Sequence, residues 1–333
     1  LSALSIFADL GFTMIVAQFS AHEYAYLNLS NNRRIEGDDF YIGRISSFFR
    51  FVLKWGIAAA IITFPIIFIA GYYLLKVEVT EFNWVLPWVI FLVASGILFV
   101  LNIINAFFEG CDQIAKSQQI AFISILISFI VIVVVLVCGF NLYAIALGTL
   151  AQAIVRSFLI YRNFGTTMKQ LLTEKAHHYR WGKEVLQLLW RYAISWSSGY
   201  FIFQLFTPVA FKFYGSEVAG QVGITLSLVM AVFTFSNIWM FVANPKMNML
   251  VSLKNWIGLD HLFKRQLSLS IITFLIGGTA CILLFISIPE KWNFTQRFLN
   301  VGTIFLLLLA WLMQLIINAM AMYMRAHKKE PLV

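Results

Sequence analysis

Arg156 lies in "NLYAIALGTLAQAIVRSFLIY", residues 141 to 161, a stretch of otherwise helical and mostly apolar sequence. A permanent cation about five residues from the middle of such a segment has two ways to avoid hydrocarbon. It lines a polar cavity, or it snorkels along about 7.5 Å of helix to the headgroups. Gln152 stands one turn earlier on the same face, so an amide and a guanidinium are presented together. Lys212 closes a second series, following Gln204 and Pro208 at four-residue intervals that share a helix face. Pro208 lacks the backbone donor and can kink a helix into a gate, while Lys212 reads as an interfacial cation before it reads as a ligand. Asp9, in the apolar "ADLGF" segment, offers a carboxylate that could couple a proton or sodium ion, or pair with a base as a structural acid. Gln314 and Asn318 form a third polar pair one turn apart, and Asn102 and Asn105 hold a comparable position nearer the N-terminus. Interhelical hydrogen bonds account for such amides at least as well as ligand contacts do.

No catalytic signature accompanies these residues. The sequence has neither a G-x-x-x-x-G-K phosphate loop nor a G-x-S-x-G elbow, so no catalytic residue is assigned and no cofactor is expected. His177 and His178 neighbour Glu174 without cysteine partners or a second histidine pair at ligand spacing, and read as a solvated loop rather than a metal site. His22 and Glu23 read as residues of the membrane interface. The three cysteines imply no disulfide framework, and Cys111 falls in a loop where an aqueous thiol reagent should reach it.

The elements that must position these groups are membrane helices. Hydrophobic residues make up 61% of the chain and charged residues 12%, with a mean hydropathy of +0.83, which a soluble domain of this size does not show. The apolar residues fall into nine runs long enough to cross roughly 30 Å of hydrocarbon: Leu1 to Ala21, Trp55 to Leu75, Trp84 to Phe108, Ile120 to Phe140, Asn141 to Tyr161, Tyr192 to Phe213, Val218 to Ala243, Leu269 to Ile288 and Phe298 to Met324. They are apolar on all faces, which excludes the alternation of a β-barrel strand, so the expected fold is an all-α polytopic bundle. Trp55, Trp84, Trp88, Trp190 and Trp292 sit at span ends as an aromatic belt would.

Alternate connections differ sharply in charge. One set (28 to 54, 109 to 117, 162 to 191, 244 to 266 and 325 onward) holds 19 of the 24 lysines and arginines, and the positive-inside rule places it in the cytoplasm. The net charge of +9 is mostly this asymmetry, together with attraction to anionic membrane lipid; no soluble basic surface for nucleic acid is evident. The longest polar stretch, residues 162 to 191, reads as a linker between an N-terminal bundle at 1 to 161 and a C-terminal bundle at 192 to 333. "IINA" occurs at Ile103 to Ala106 and again at Ile316 to Ala319, six spans apart, and Phe7, Met14, Val16 and Ala17 match Phe233, Met240, Val242 and Ala243 at the same period. Two repeated six-helix halves would then lack one span before Leu1 and two after Val333.

"FADLGF" at 7 to 12, "FFEGCDQIAKSQ" at 107 to 118, "SWSSGYFIFQLFTPVAFKFYGSEVAGQVG" at 195 to 223 and "RAHKKEP" at 325 to 331 together resemble the O-antigen and exopolysaccharide flippases of the multidrug/oligosaccharidyl-lipid/polysaccharide superfamily. The resemblance implies twelve helices in two bundles around a central cavity. It also implies transfer of an undecaprenyl-pyrophosphate-linked oligosaccharide across the inner membrane by alternating access, with a polysaccharide polymerase as a further partner. Arg156, Gln152, Lys212, Gln204, Gln314 and Asn318 would then contact the substrate. A multidrug cation exporter of the same superfamily would instead depend on buried acids, and a membrane polymerase or ligase would need a substantial external loop, whereas the external connections here, near residues 76 to 83, 140 to 141, 214 to 217 and 289 to 297, are short.

Overall fold

Runs of Leu, Ile, Val and Phe satisfy every backbone group within the segment when they coil into helices, as hydrocarbon requires. The computed structural model describes residues 11–30, 32–78, 84–174, 179–204, 206–287 and 297–327, without the side chains at 70, 73–78, 141, 195–204, 206–208 and 216. Among the described residues the order is α1 (Phe12–Tyr24), β1 (Leu27–Leu29), β2 (Ile35–Gly37), α2 (Asp39–Glu78), α3 (Val85–Gly110), α4 (Ile114–Val137), α5 (Asn141–Thr173), α6 (Trp181–Gln204), α7 (Phe206–Ser252), α8 (Trp256–Ser287) and α9 (Val301–Ala326). Seven stretches are long and apolar enough to cross a membrane: Asp39–Ile69, Val85–Gly110, Ile114–Val137, Leu142–Thr173, Glu217–Ser252, Trp256–Ser287 and Val301–Ala326. Of the two other spans expected from sequence, Leu1 to Ala21 begins outside the described residues and Tyr192 to Phe213 is interrupted by residue 205, which is also outside them.

Helix ends follow local chemistry. At the end of α4, Gly139 takes a left-handed φ of 85°, and the amides of Gly139 and Phe140 bond back to Leu136 and Val135, closing the helix so that α5 can start at once. Gly215, at φ 87° and ψ 179°, breaks α7 within the short connection expected at 214 to 217.

The chain forms two compact units, Leu1–Leu189 and Trp190–Val333. In the first, α3 packs against α1, α2 and α5, and α4 pairs with α5. The α4 surface is inverted relative to a soluble helix: Ser117, Ser124 and Ser128 are buried, whereas Phe122, Phe129 and Val137 are 66%, 62% and 83% exposed. Small residues let backbones approach, and large apolar ones face lipid. Gly148 of α5 meets this same face beside Ile132 and the Ser128 carbonyl. In the second unit α7, α8 and α9 pack in all three pairs around Val229, Phe274, Leu308, Trp311 and Leu315.

Two helices of the first unit are much longer than hydrocarbon requires. At 1.5 Å per residue the 40 residues of α2 extend about 60 Å and the 33 of α5 about 50 Å, so both project beyond the hydrocarbon on the cation-rich side. Residues 162–173, expected in a linker, therefore continue α5. The small antiparallel hairpin β1–β2 departs from the all-helical expectation and is clasped to this projection. Gln170 uses its amide as a neighbouring strand would, accepting from the Ile35 amide at 2.8 Å and donating to the Ile35 carbonyl at 2.9 Å. Arg50 of α2 donates to the carbonyls of Leu171 and Glu174, capping the negative end of α5.

Gly110 permits the closest helix approach in this region. A Cβ there would lie 2.4 Å from the Ala17 carbonyl oxygen and 2.6 Å from the Ser20 Cβ, both on α1. Backbone cannot yield as a side-chain tip can, so Gly110→Val should cost about 1–3 kcal/mol of overpacking strain. The check is thermal denaturation of the purified protein in detergent; a melting point equal to that of the parent would show that α1 is free to move away.

Candidate functional site

Where α3, α4 and α5 meet near the cation-rich side, the unit holds a cluster of polar groups. Arg156 is on α5 and only 8% exposed, and its Nε has no hydrogen-bond partner. Its guanidinium attracts the Glu109 carboxylate of α3, one residue from the end of that helix. Glu109 Oε1 also accepts from Gln118 Nε2 of α4 at 2.9 Å. One turn before Glu109, buried Asn105 donates from Nδ2 to the Ser117 carbonyl at 3.4 Å, leaving Asn105 Oδ1 and the Ser117 hydroxyl without partners. A buried polar atom without a partner costs roughly 1–3 kcal/mol, so three on these neighbouring helices make the cluster costly for the fold to hold.

Arg156 is covered by protein and faces the end of α3 at which Glu109 lies. Gln152 is half-buried one turn away on α5. The sequence analysis missed Glu109, Ser117 and Gln118. The available signal was the four-residue spacing of Asn105 and Glu109, which puts both on one face of α3.

Of the other described candidates, Lys212, Gln314 and Asn318 are on other elements. Lys212 is exposed, with its ammonium 5.8 Å from the centre of the Phe213 ring. Asp9, His177 and His178 lie outside the described residues, as do the side chains of Gln204 and Pro208. In the second unit Asn318 donates to Asn237 Oδ1 of α7 at 3.0 Å, and half-buried Gln314 precedes it by one turn of α9. Asn102 is exposed, unlike Asn105. No metal-binding cluster of His, Cys, Asp or Glu occurs among the described residues.

Glu23, expected at the interface, is instead 5% exposed and bonded to Arg44 at 2.7 Å. Cys111, expected within reach of solvent, is 3% exposed, and burial pushes its thiol well above the ordinary range. Both the nucleophilic thiolate and access are therefore suppressed there. Cys138, at the opposite end of α4, is exposed. An impermeant maleimide added to sealed right-side-out membrane vesicles should label Cys138 and spare Cys111 and buried Cys281. Labelling of Cys138 only after the vesicles are opened would reverse the orientation.

Helices with small polar residues inside and large apolar residues outside define a multi-pass helical membrane protein. No protein-family model, curated protein or solved structure matches the chain.

Proposed function

We propose that the chain belongs to a transporter that flips an undecaprenyl-pyrophosphate-linked oligosaccharide across the bacterial cytoplasmic membrane by alternating access, for O-antigen or exopolysaccharide assembly. The observation that carries this reading is Arg156, a buried cation with an unsatisfied donor, set among amide and hydroxyl groups inside a membrane bundle. Pyrophosphate needs such charge-assisted donors and sugar needs amides, while the polyprenyl chain can stay in lipid. In this reading the chain crosses the membrane nine times, its basic loops are cytoplasmic, and its two halves are pseudo-repeats. The mutual packing of α1, α2 and α3 in one unit and of α7, α8 and α9 in the other supports the repeat. So does the "IINA" match, in which Asn105 and Asn318 occupy equivalent positions and each donates to a neighbouring helix.

A cation exporter would need an acid free to bind its substrate. Glu109 is the acid that the structure adds; it and Arg156 offset each other in charge, and Glu109 already accepts from Gln118 whereas Arg156 Nε keeps an unpartnered donor. That spare donor favours the anionic substrate. The deciding experiment is deletion of the full-length gene. Lipid-linked oligosaccharide should accumulate with its sugars accessible from the cytoplasmic side alone. Normal surface polysaccharide together with new sensitivity to organic cations would favour the exporter.

A further inference from the structure

We propose that the projecting end of α5 and the β1–β2 hairpin form a binding site for a phosphoryl anion, separate from the Arg156 cluster and independent of the transported substrate. The site is a cavity of about 690 Å³ lined by Arg34 of the hairpin connection and by Tyr161, Arg162, Thr166, Lys169 and Glu174 on or just beyond α5. Three cations against one carboxylate leave the cavity positively charged, so its complement is an anion.

The cations are gathered by specific contacts. Arg33 Nη1 donates to the Arg162 carbonyl at 2.7 Å, and Thr167 Oγ1 donates to the Arg33 carbonyl at 2.7 Å. With the two bonds between Gln170 and Ile35, these hold the hairpin on α5 and bring Arg34 to the same cavity as Arg162 and Lys169. Like charges repel, and here main-chain contacts overcome the repulsion before any ligand arrives, which lowers the ordering cost of binding.

Depth selects the chemistry. The apolar part of α5 ends near Tyr161, which is 76% exposed. Arg162 to Lys169 occupies about the next 10 Å of helix, and the headgroup layer extends roughly 5–7 Å beyond the hydrocarbon on each side. The part of the cavity next to Tyr161, at Arg162 and Thr166, therefore lies at the level of lipid phosphates, and Lys169 closes it from the aqueous side. A phosphodiester headgroup and free inorganic phosphate offer the same oxygens, and arginine and lysine with the Thr166 hydroxyl suit either.

The test uses purified full-length protein in detergent, with binding of phosphatidylglycerol, phosphatidylcholine and inorganic phosphate measured separately by native mass spectrometry and calorimetry. Arg162→Gln/Lys169→Gln removes two charges and keeps the main-chain carbonyls on which the fold relies. At about fivefold per cation, phosphatidylglycerol affinity should fall about 25-fold, with phosphatidylcholine unchanged. Arg34→Gln, on a different element, should lose about fivefold by itself and serves if the double variant fails to fold. The control Lys264→Gln/Arg265→Gln, two exposed cations of the second unit, should change affinity by less than about twofold. Binding of inorganic phosphate that displaces phosphatidylglycerol and is lost in the same variants would assign the site to free phosphate. Equal losses in the control, or no loss on removing Arg34, Arg162 and Lys169, would overturn the proposal.

Discussion

If the chain acts as the proposed flippase, then in a strain lacking the gene Arg156→Gln should fail to restore surface polysaccharide, whereas Arg156→Lys should restore part of it. Loss of a charge-assisted contact to pyrophosphate is worth roughly 1.5–3 kcal/mol, a factor of about 10 to 150 in affinity. Lysine keeps the charge and loses the planar two-pronged donor, so it should fall between glutamine and the parent. The structure adds a sharper arm, because removing Arg156 also leaves Glu109 half-buried opposite a neutral group. Glu109→Gln combined with Arg156→Gln removes that penalty and should return the protein to its normal level in the membrane while transport stays low. If the double variant regains transport, Arg156 serves only to neutralise Glu109 and leaves the substrate site. The measurement is surface polysaccharide normalised to membrane level for each variant.

Arg44→Leu should lower the melting temperature of the detergent-solubilised protein by roughly 6–12 °C, the expected result of losing about 3 kcal/mol from a unit of this size. Glu23 keeps 7% of its side-chain surface exposed and Arg44 keeps 25%, so Arg44→Leu strands a buried carboxylate whereas the converse change leaves a partly hydrated cation. The low end of the usual range for breaking a buried pair applies because of that hydration. Arg44 also lies 4.8 Å from the Tyr179 ring centre and 5.6 Å from that of Trp181, and Trp181 packs 4.8 Å from Phe48 and donates Nε1 to Ser47 Oγ at 3.2 Å. The arginine thus joins α1, α2 and the start of α6. Glu23→Gln in the Arg44→Leu background should recover part of the loss, since no charge is then left buried. A melting point for Arg44→Leu within about one degree of the parent would mean that the pair contributes nothing net.

The amino-acid sequence by itself determined that the chain is helical and embedded in lipid, because apolar runs of sufficient length admit no other backbone arrangement in hydrocarbon. It also placed the connections at 140 to 141 and 214 to 217; the structure puts Gly139 beside the first and Gly215 within the second, each at a left-handed φ that residues with a Cβ resist. It did not determine which face of each helix meets protein. Hydropathy in a membrane span is nearly uniform around the helix, so it is silent on whether Arg156 turns toward lipid, headgroups or α3. That choice came from the fit of small residues on α3, α4 and α5. The partners decided only in three dimensions are far apart in the chain: Glu23 and Arg44 by 21 residues, Ile35 and Gln170 by 135. No local period encodes such pairs, because they exist only once hydrocarbon has forced the helices upright and packing has brought their projecting ends together.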